Sequence, residues 1–224
     1  MSRPEVQRFP AGFVWQHGLL MVTFTILAVT GMPLKWHWWG VIRVMGGYEV
    51  VRWIHRASGI VMLGLGIVHV GHALWHQVRT GRPGGLWPTW RDVRDMIHDS
   101  RFLVGLEPER ARYPRYSYIN KFDYWGAFWG VAIMAGSGLV LWFPRSFSNL
   151  VIHVSHIAHT DEALLAVIAI FIWHVYHVHT YHGRPRLNRV WLTGRIPVED
   201  LRLEHPEEYE ELVRQGVIPR DDAP

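Results

Sequence analysis

The chain has 224 residues, of which 49% are hydrophobic and 13% aromatic, with 13 Trp, no Cys and a formal net charge of +4. That much apolar and aromatic surface is membrane-protein composition. The lack of Cys excludes disulfides, Cys-ligated zinc, iron–sulfur clusters and covalently attached c-type haem for this chain alone. The basic residues cluster in particular connecting segments and form no stripe beside exposed aromatics, so no nucleic-acid partner is expected.

About 20 apolar residues suffice to cross a bilayer. Four windows qualify, near 12–34, 53–78, 122–143 and 161–182, and predict an all-α, integral membrane four-helix bundle. The first is no cleaved signal peptide, because "GMPLKWHWWG" offers no small-residue cleavage site. Between the first two windows, Trp36, Trp38, Trp39 and Trp53 alternate with basic residues in a segment expected to lie along the membrane surface. Eight Arg fall in 79–118, with Arg184, Arg186, Arg189 and Arg195 after the fourth window and Arg3 and Arg8 before the first. The other side carries only Lys35, Arg43, Arg52 and Arg145. This asymmetry predicts cytoplasmic termini and a cytoplasmic 79–118 loop. Residues 1–196 are expected to form the transmembrane domain, and 197–224 an acidic, amphipathic cytoplasmic tail that reads as a solvated surface helix.

Histidines are the feature this composition does not explain. His17 lies near the cytoplasmic start of the first helix, His55 near the outer start of the second, His159 at the outer start of the fourth and His174 deeper in it. The 15-residue interval from His159 to His174 spans roughly 22 Å and four turns plus about 60°, which keeps both on broadly one face. Depth then pairs His55 with His159 and His17 with His174. Imidazoles in a bilayer need partners for their nitrogens, and pairs at two depths suit bis-histidine haem b better than a bare ion wanting three or four ligands at one point. Gly59, Gly64 and Gly66, with Gly126, Gly130, Gly136 and Gly138, allow close approach of a flat macrocycle or of a neighbouring helix.

The segments "VWQHGLLMVTFTILAVTGMPL", "WIHRASGIVMLGLGIVH", "NKFDYWGAFWGVAIMAGSGLVLW" and "HTDEALLAVIAIFIWHVYHVH", followed by "WLTG", resemble the four-helix dihaem cytochrome b family. That family includes formate dehydrogenase gamma subunits and the cytochrome b subunits of nickel–iron hydrogenases. The resemblance spans roughly residues 6–196 and is greatest to the branch that accompanies multihaem c-type cytochromes in bacterial respiratory chains. It implies His17, His55, His159 and His174 as haem-iron ligands. Better-known members separate the fourth-helix pair by 14 residues, so the 15 here implies a local bulge near Trp173 or a changed ring orientation. His69, 14 residues after His55, is the alternative inner ligand. The set His55, His69, His159 and His174 is the arrangement of quinol–cytochrome c reductases. His72, His76, His177, His179 and His182 are expected near the cytoplasmic headgroups, as interfacial or propionate-contacting residues, or in a quinone contact or a third haem.

Two haem b groups stacked across a bilayer relay electrons. The resemblance implies menaquinone or ubiquinone near the inner haem, where "RYSYINKFDYW" offers Tyr118, Asn120, Lys121, Asp123 and Tyr124 as hydrogen-bond partners and a proton path. Arg56 is expected to pair with a haem propionate. The outer segments 35–52 and 144–158 are too small for a substrate site. An extracytoplasmic redox subunit, a multihaem c-type cytochrome or an iron–sulfur protein, is therefore expected there. The expectation is an electron-transfer subunit of a quinone-linked respiratory complex in the bacterial cytoplasmic membrane. Its competitors are a stand-alone ferric or ascorbate-type haem reductase and a haem-free channel or transporter.

Overall fold

A computed structural model of the chain describes residues 3–81, 85–180 and 187–219. His182, Arg184, Arg186 and Arg82 lie outside the described residues, as do the end of the fourth predicted helix and the end of the tail. The protein is mostly helical, and four helices are long and apolar enough to cross a membrane: Ala11–Trp36 (α1), Tyr48–Thr80 (α3), Tyr118–Trp142 (α5) and the continuous run Asn149–His179. That run comprises α6 (Asn149–Ile168), a π-helical segment Ala169–His174 and α7 (Val175–Thr180). The shorter elements are β1 (Glu5–Gln7), α2 (Trp39–Val44), α4 (Trp90–Leu103), α8 (Val190–Thr193), β2 (Arg195–Pro197), α9 (Val198–Glu204) and α10 (Pro206–Arg214).

The chain forms two compact units, one of residues 12–72 and 126–188, the other of 1–11, 73–125 and 189–224. In the first, Gly59 of α3 meets Leu27 of α1, Gly66 meets Val131 of α5, and Gly130 of α5 meets Glu162 of α6. Lys35 and Asp161 join α1 to α6 through a 3.3 Å ion pair. Large apolar side chains such as Val29, Ile67, Trp129, Leu165 and Ile172 are exposed along these helices, as expected of a surface that hydrocarbon covers. The segment after α1 turns through Trp36 stacked on Trp38 and the short helix α2. It then reverses at Gly46 and Gly47, whose φ of +99° and +97° suits glycine.

Two expectations change. The fourth helix begins at 149 and not at 161, because Ser148 accepts the Val151 N–H as an N-cap and no Pro or Gly interrupts 149–160. His159 therefore lies well inside the helix. The expected boundary at 197 does not coincide with the division between the units, which runs at 188 and 189. Gln7, Val6 and Glu5 pair antiparallel with Arg195, Ile196 and Pro197, and Val190, Ile196, Val198, Leu201, Tyr209 and Ile218 form one buried apolar cluster. The tail is core rather than a solvated helix because its acids have cationic partners. Glu207 takes a 2.5 Å bond from Arg91, Glu210 one from Arg112, and buried Glu208 one of 2.5 Å from Arg115 and a 3.3 Å ion pair with buried Arg8. Burial pulls the Arg8 guanidinium below its ordinary value despite Glu208 beside it.

Removing one partner of a buried ion pair costs about 3–5 kcal/mol because the other charge stays buried without compensation. Glu208→Ala is expected to loosen this unit while leaving the spans intact. Hydrogen exchange should then accelerate at Val6 and Ile196, and unchanged protection there would show that Glu208 does not hold the unit together.

Candidate functional site

Among the described residues, the structure brings the four predicted histidines together in the expected pairs. His55 of α3 faces His159 of α6 with ring centroids 6.2 Å apart and planes at 71°. His17 of α1 faces His174 with centroids 6.4 Å apart and planes at 41°. Each ring is half-buried.

The His55–His159 pair is held by hydroxyls. Thr30, only 1% exposed, donates its single proton to the Ile26 carbonyl at 2.6 Å. With that proton given to the carbonyl, its 2.9 Å contact with His55 Nδ1 is an acceptance, which assigns the ring proton to Nδ1. Ser137 repeats this across the pair, donating to the Ile133 carbonyl at 2.6 Å and accepting from His159 Nδ1 at 3.0 Å. In the neutral rings, Nε2 is left as a bare lone pair on both. The residue after each hydroxyl is a glycine. A Cβ at Gly31 would stand 3.1 Å from His55 Cε1, and one at Gly138 would stand 3.2 Å from His159 Cε1, both tighter than ordinary contact. α1 and α5 thus each present a hydroxyl–glycine step that grips an imidazole of the next membrane-length helix in sequence.

Sequence reasoning missed Thr30, Ser137 and Gly31. The signal was present as two hydroxyl–glycine dipeptides, "TG" and "SG", near the ends of the first and third apolar windows.

At the second pair, His17 Nδ1 is buried without a hydrogen-bond partner among the described residues. His69 does not share this position, since its Nδ1 bonds Gln16 Oε1 at 3.0 Å and its ring meets Phe13 edge-on at 6.5 Å. The expected bulge near Trp173 is the π-helical segment, which absorbs one residue of the 15 between His159 and His174. Trp173 stacks on His177 at 4.6 Å, His179 Nδ1 accepts the Asn188 N–H at 3.2 Å, and His72 and His76 are exposed.

Arg56 lies over two indole rings, 5.0 Å from Trp142 and 5.8 Å from Trp53, a cation–π setting. The residues predicted for a quinone belong to the other unit, where most are already engaged. Lys121 is buried and bonds both oxygens of Asp92 at 2.8 Å. Burial alone would raise the Asp92 carboxyl, but the bonds from Lys121 and Thr89 outweigh it and hold it below the ordinary carboxylate range. Tyr118 and Tyr113 both donate to buried Asp99, and burial with that carboxylate pushes the Tyr113 phenol far up. Asn120 caps α5 by exchanging bonds with Ser117. Tyr124 meets Trp125 edge-on at 5.8 Å, and Asp123 lies between them and Lys121 in sequence.

No group of three or more His, Cys, Asp or Glu able to hold a metal ion occurs among the described residues. Two-imidazole sets are what the chain offers. No protein-family model matches the chain, and no curated protein matches it.

The hydroxyl grip has a spectroscopic consequence. Nitrogen-15 NMR of histidine-labelled protein should find His55 and His159 in the Nδ1–H tautomer, and Thr30→Val or Ser137→Ala should release one ring each. Nε2–H signals from either ring in the unaltered protein would refute the assignment.

Proposed function

We propose that the chain is a membrane dihaem b-type cytochrome subunit that relays electrons between the quinone pool and an extracytoplasmic redox partner in a bacterial respiratory complex. The two histidine pairs carry this reading. The paired rings face one another with centroids 6.2 and 6.4 Å apart, a spacing at which both could hold one metal between them through bonds of about 2.0–2.1 Å. A bare zinc-type ion wants four ligands, whereas two imidazoles suffice for an iron whose other four positions are filled by a porphyrin. The glycines at Gly31 and Gly138 leave room for the His55 and His159 rings, and with the ring protons on Nδ1 the Nε2 lone pairs of those rings fit such a group. Haem b held in this way supplies one-electron redox chemistry at each pair.

The chain's own residues then have distinct tasks. His55 and His159 would hold one haem iron, His17 and His174 the other. Thr30 and Ser137 fix ring orientation and raise ligand basicity by accepting the Nδ1 protons. Arg56 sets a positive charge near the outer pair. Tyr118, Asn120, Lys121, Asp123 and Tyr124 remain the quinone-side residues of this reading, and the Lys121–Asp92 pair offers a proton donor and acceptor in one contact. Exposed Trp38, Trp39, Val41, Val44 and Leu150 supply apolar surface for the partner subunit, which the reading takes to be a multihaem c-type cytochrome or an iron–sulfur protein. The likeness of the histidine-bearing segments to dihaem cytochromes b supports the same conclusion.

Haem content tests it. The purified chain should bind two haem b, His55→Ala or His159→Ala should lose one and keep the other, and His17→Ala should lose the inner haem while His69→Ala retains it. A haem-free chain with no b-type band after dithionite reduction would end the proposal. Loss of the inner haem in His69→Ala, with His17→Ala unaffected, would transfer the ligand role to His69.

Arg56→Gln is expected to lower the midpoint potential of the outer haem, because a cation nearby disfavours the oxidised, more positive iron. Redox titration gives the answer, and an unchanged potential would remove Arg56 from the haem environment.

A further inference from the structure

Helix α4 sorts its charges by face. Its acids turn inward within their own unit: Asp92 to Lys121, Asp95 to Arg91 at 3.4 Å, and Asp99, 4% exposed, to Tyr113, Tyr118 and the Ala111 N–H. The opposite arc is open and apolar. Trp90 is 82% exposed, Ile97 52%, Leu103 73% and Val104 71%, with Val93 and Met96 between them. At 100° per residue, Arg101 and Arg94 both follow Trp90 on one edge of this arc, about 20° and 40° beyond it, and both are exposed. Arg101 meets Glu107 at 3.0 Å, while Arg94 makes no ion pair among the described residues.

We propose that this face of α4 is a membrane-surface anchor whose occupant is a lipid interface bearing anionic headgroups. A helix with a tryptophan-bearing apolar arc, a basic edge beside the tryptophan and a charged remaining face lies in a headgroup boundary with its apolar side buried. Each arginine near an anionic surface adds to the attraction. Charge complementarity selects this occupant, because every acid of α4 is withdrawn from the open face and both cations bordering the face are presented on it. Lipid is also close along the chain, since α3 ends at Thr80 and α5 begins at Tyr118, and both are membrane-length helices. The inference is independent of what the histidines bind. It rests only on the four membrane-length helices.

Because the chain has no Cys, single labels can be placed without background. The full chain is reconstituted in nanodiscs of phosphatidylcholine alone or mixed with phosphatidylglycerol, with a nitroxide at Ile97→Cys or, as an aqueous reference, at Gln215→Cys. The collision rate with oxygen relative to a nickel chelate is then measured by EPR. The position 97 ratio should exceed the 215 ratio several-fold and rise further with phosphatidylglycerol, and that rise should disappear when Arg94→Gln and Arg101→Gln are added. Nickel access at 97 equal to that at 215 overturns the proposal. So does a label shielded from both reagents, which would mean that protein covers the face. Burial at 97 that is indifferent to phosphatidylglycerol overturns the anionic part.

Discussion

An imidazole carried into hydrocarbon has two ring nitrogens that water no longer satisfies, and the arrangement of the spans follows from how each is met. Thr30 and Ser137 can do this because each spends its own proton on a carbonyl one turn back, which leaves a lone pair for Nδ1. The same bond fixes the tautomer, and the tautomer decides which nitrogen is free for a metal. Gly31 and Gly138 follow from the same need, because a hydroxyl on one helix reaches a ring on the next only if the residue beside it carries no Cβ at about 3 Å from that ring. Small residues at these contacts therefore serve ring placement as much as helix approach.

The other compact unit depends on a different balance. Its apolar cluster is small, and buried Arg8 and exposed Arg115 both lie over the Phe9 ring. Arg8 and Arg115 each donate to the other's backbone carbonyl and share Glu208. Buried charge is tolerable here because each ion meets opposite charge and further hydrogen bonds together. The acidic composition of the tail is thus the complement of an arginine-rich loop distant in sequence. The sorting of charge on α4 is of the same kind, with the acids spent inward and the cations left outward.

Much of this was legible in the residues. Four apolar windows became four membrane-length helices, because length and hydropathy are local properties that a bilayer reads directly. Depth paired His55 with His159 and placed His174 level with both His17 and His69, since rise per residue converts sequence position into height. The anomalous 15-residue spacing foretold the π-helical segment. Helix ends were less legible: the start at Asn149 depends on one serine cap and on the absence of breakers, where hydropathy changes only gradually.

By itself, then, the sequence determined the number of spans, the heights of the histidines and the sites of surplus charge, because each depends on rise, hydropathy or composition along a single segment. Only the tertiary structure decided that His69 bonds Gln16 rather than meeting His174, that Thr30 and Ser137 set the tautomers of the outer rings, that Lys121 belongs to Asp92, and that the tail is core. Each of those outcomes is a choice among partners far apart in the chain. Which hydroxyl, amide or carboxylate comes within 3 Å of a given group is set by rotation and packing between elements, which no pattern within one element specifies.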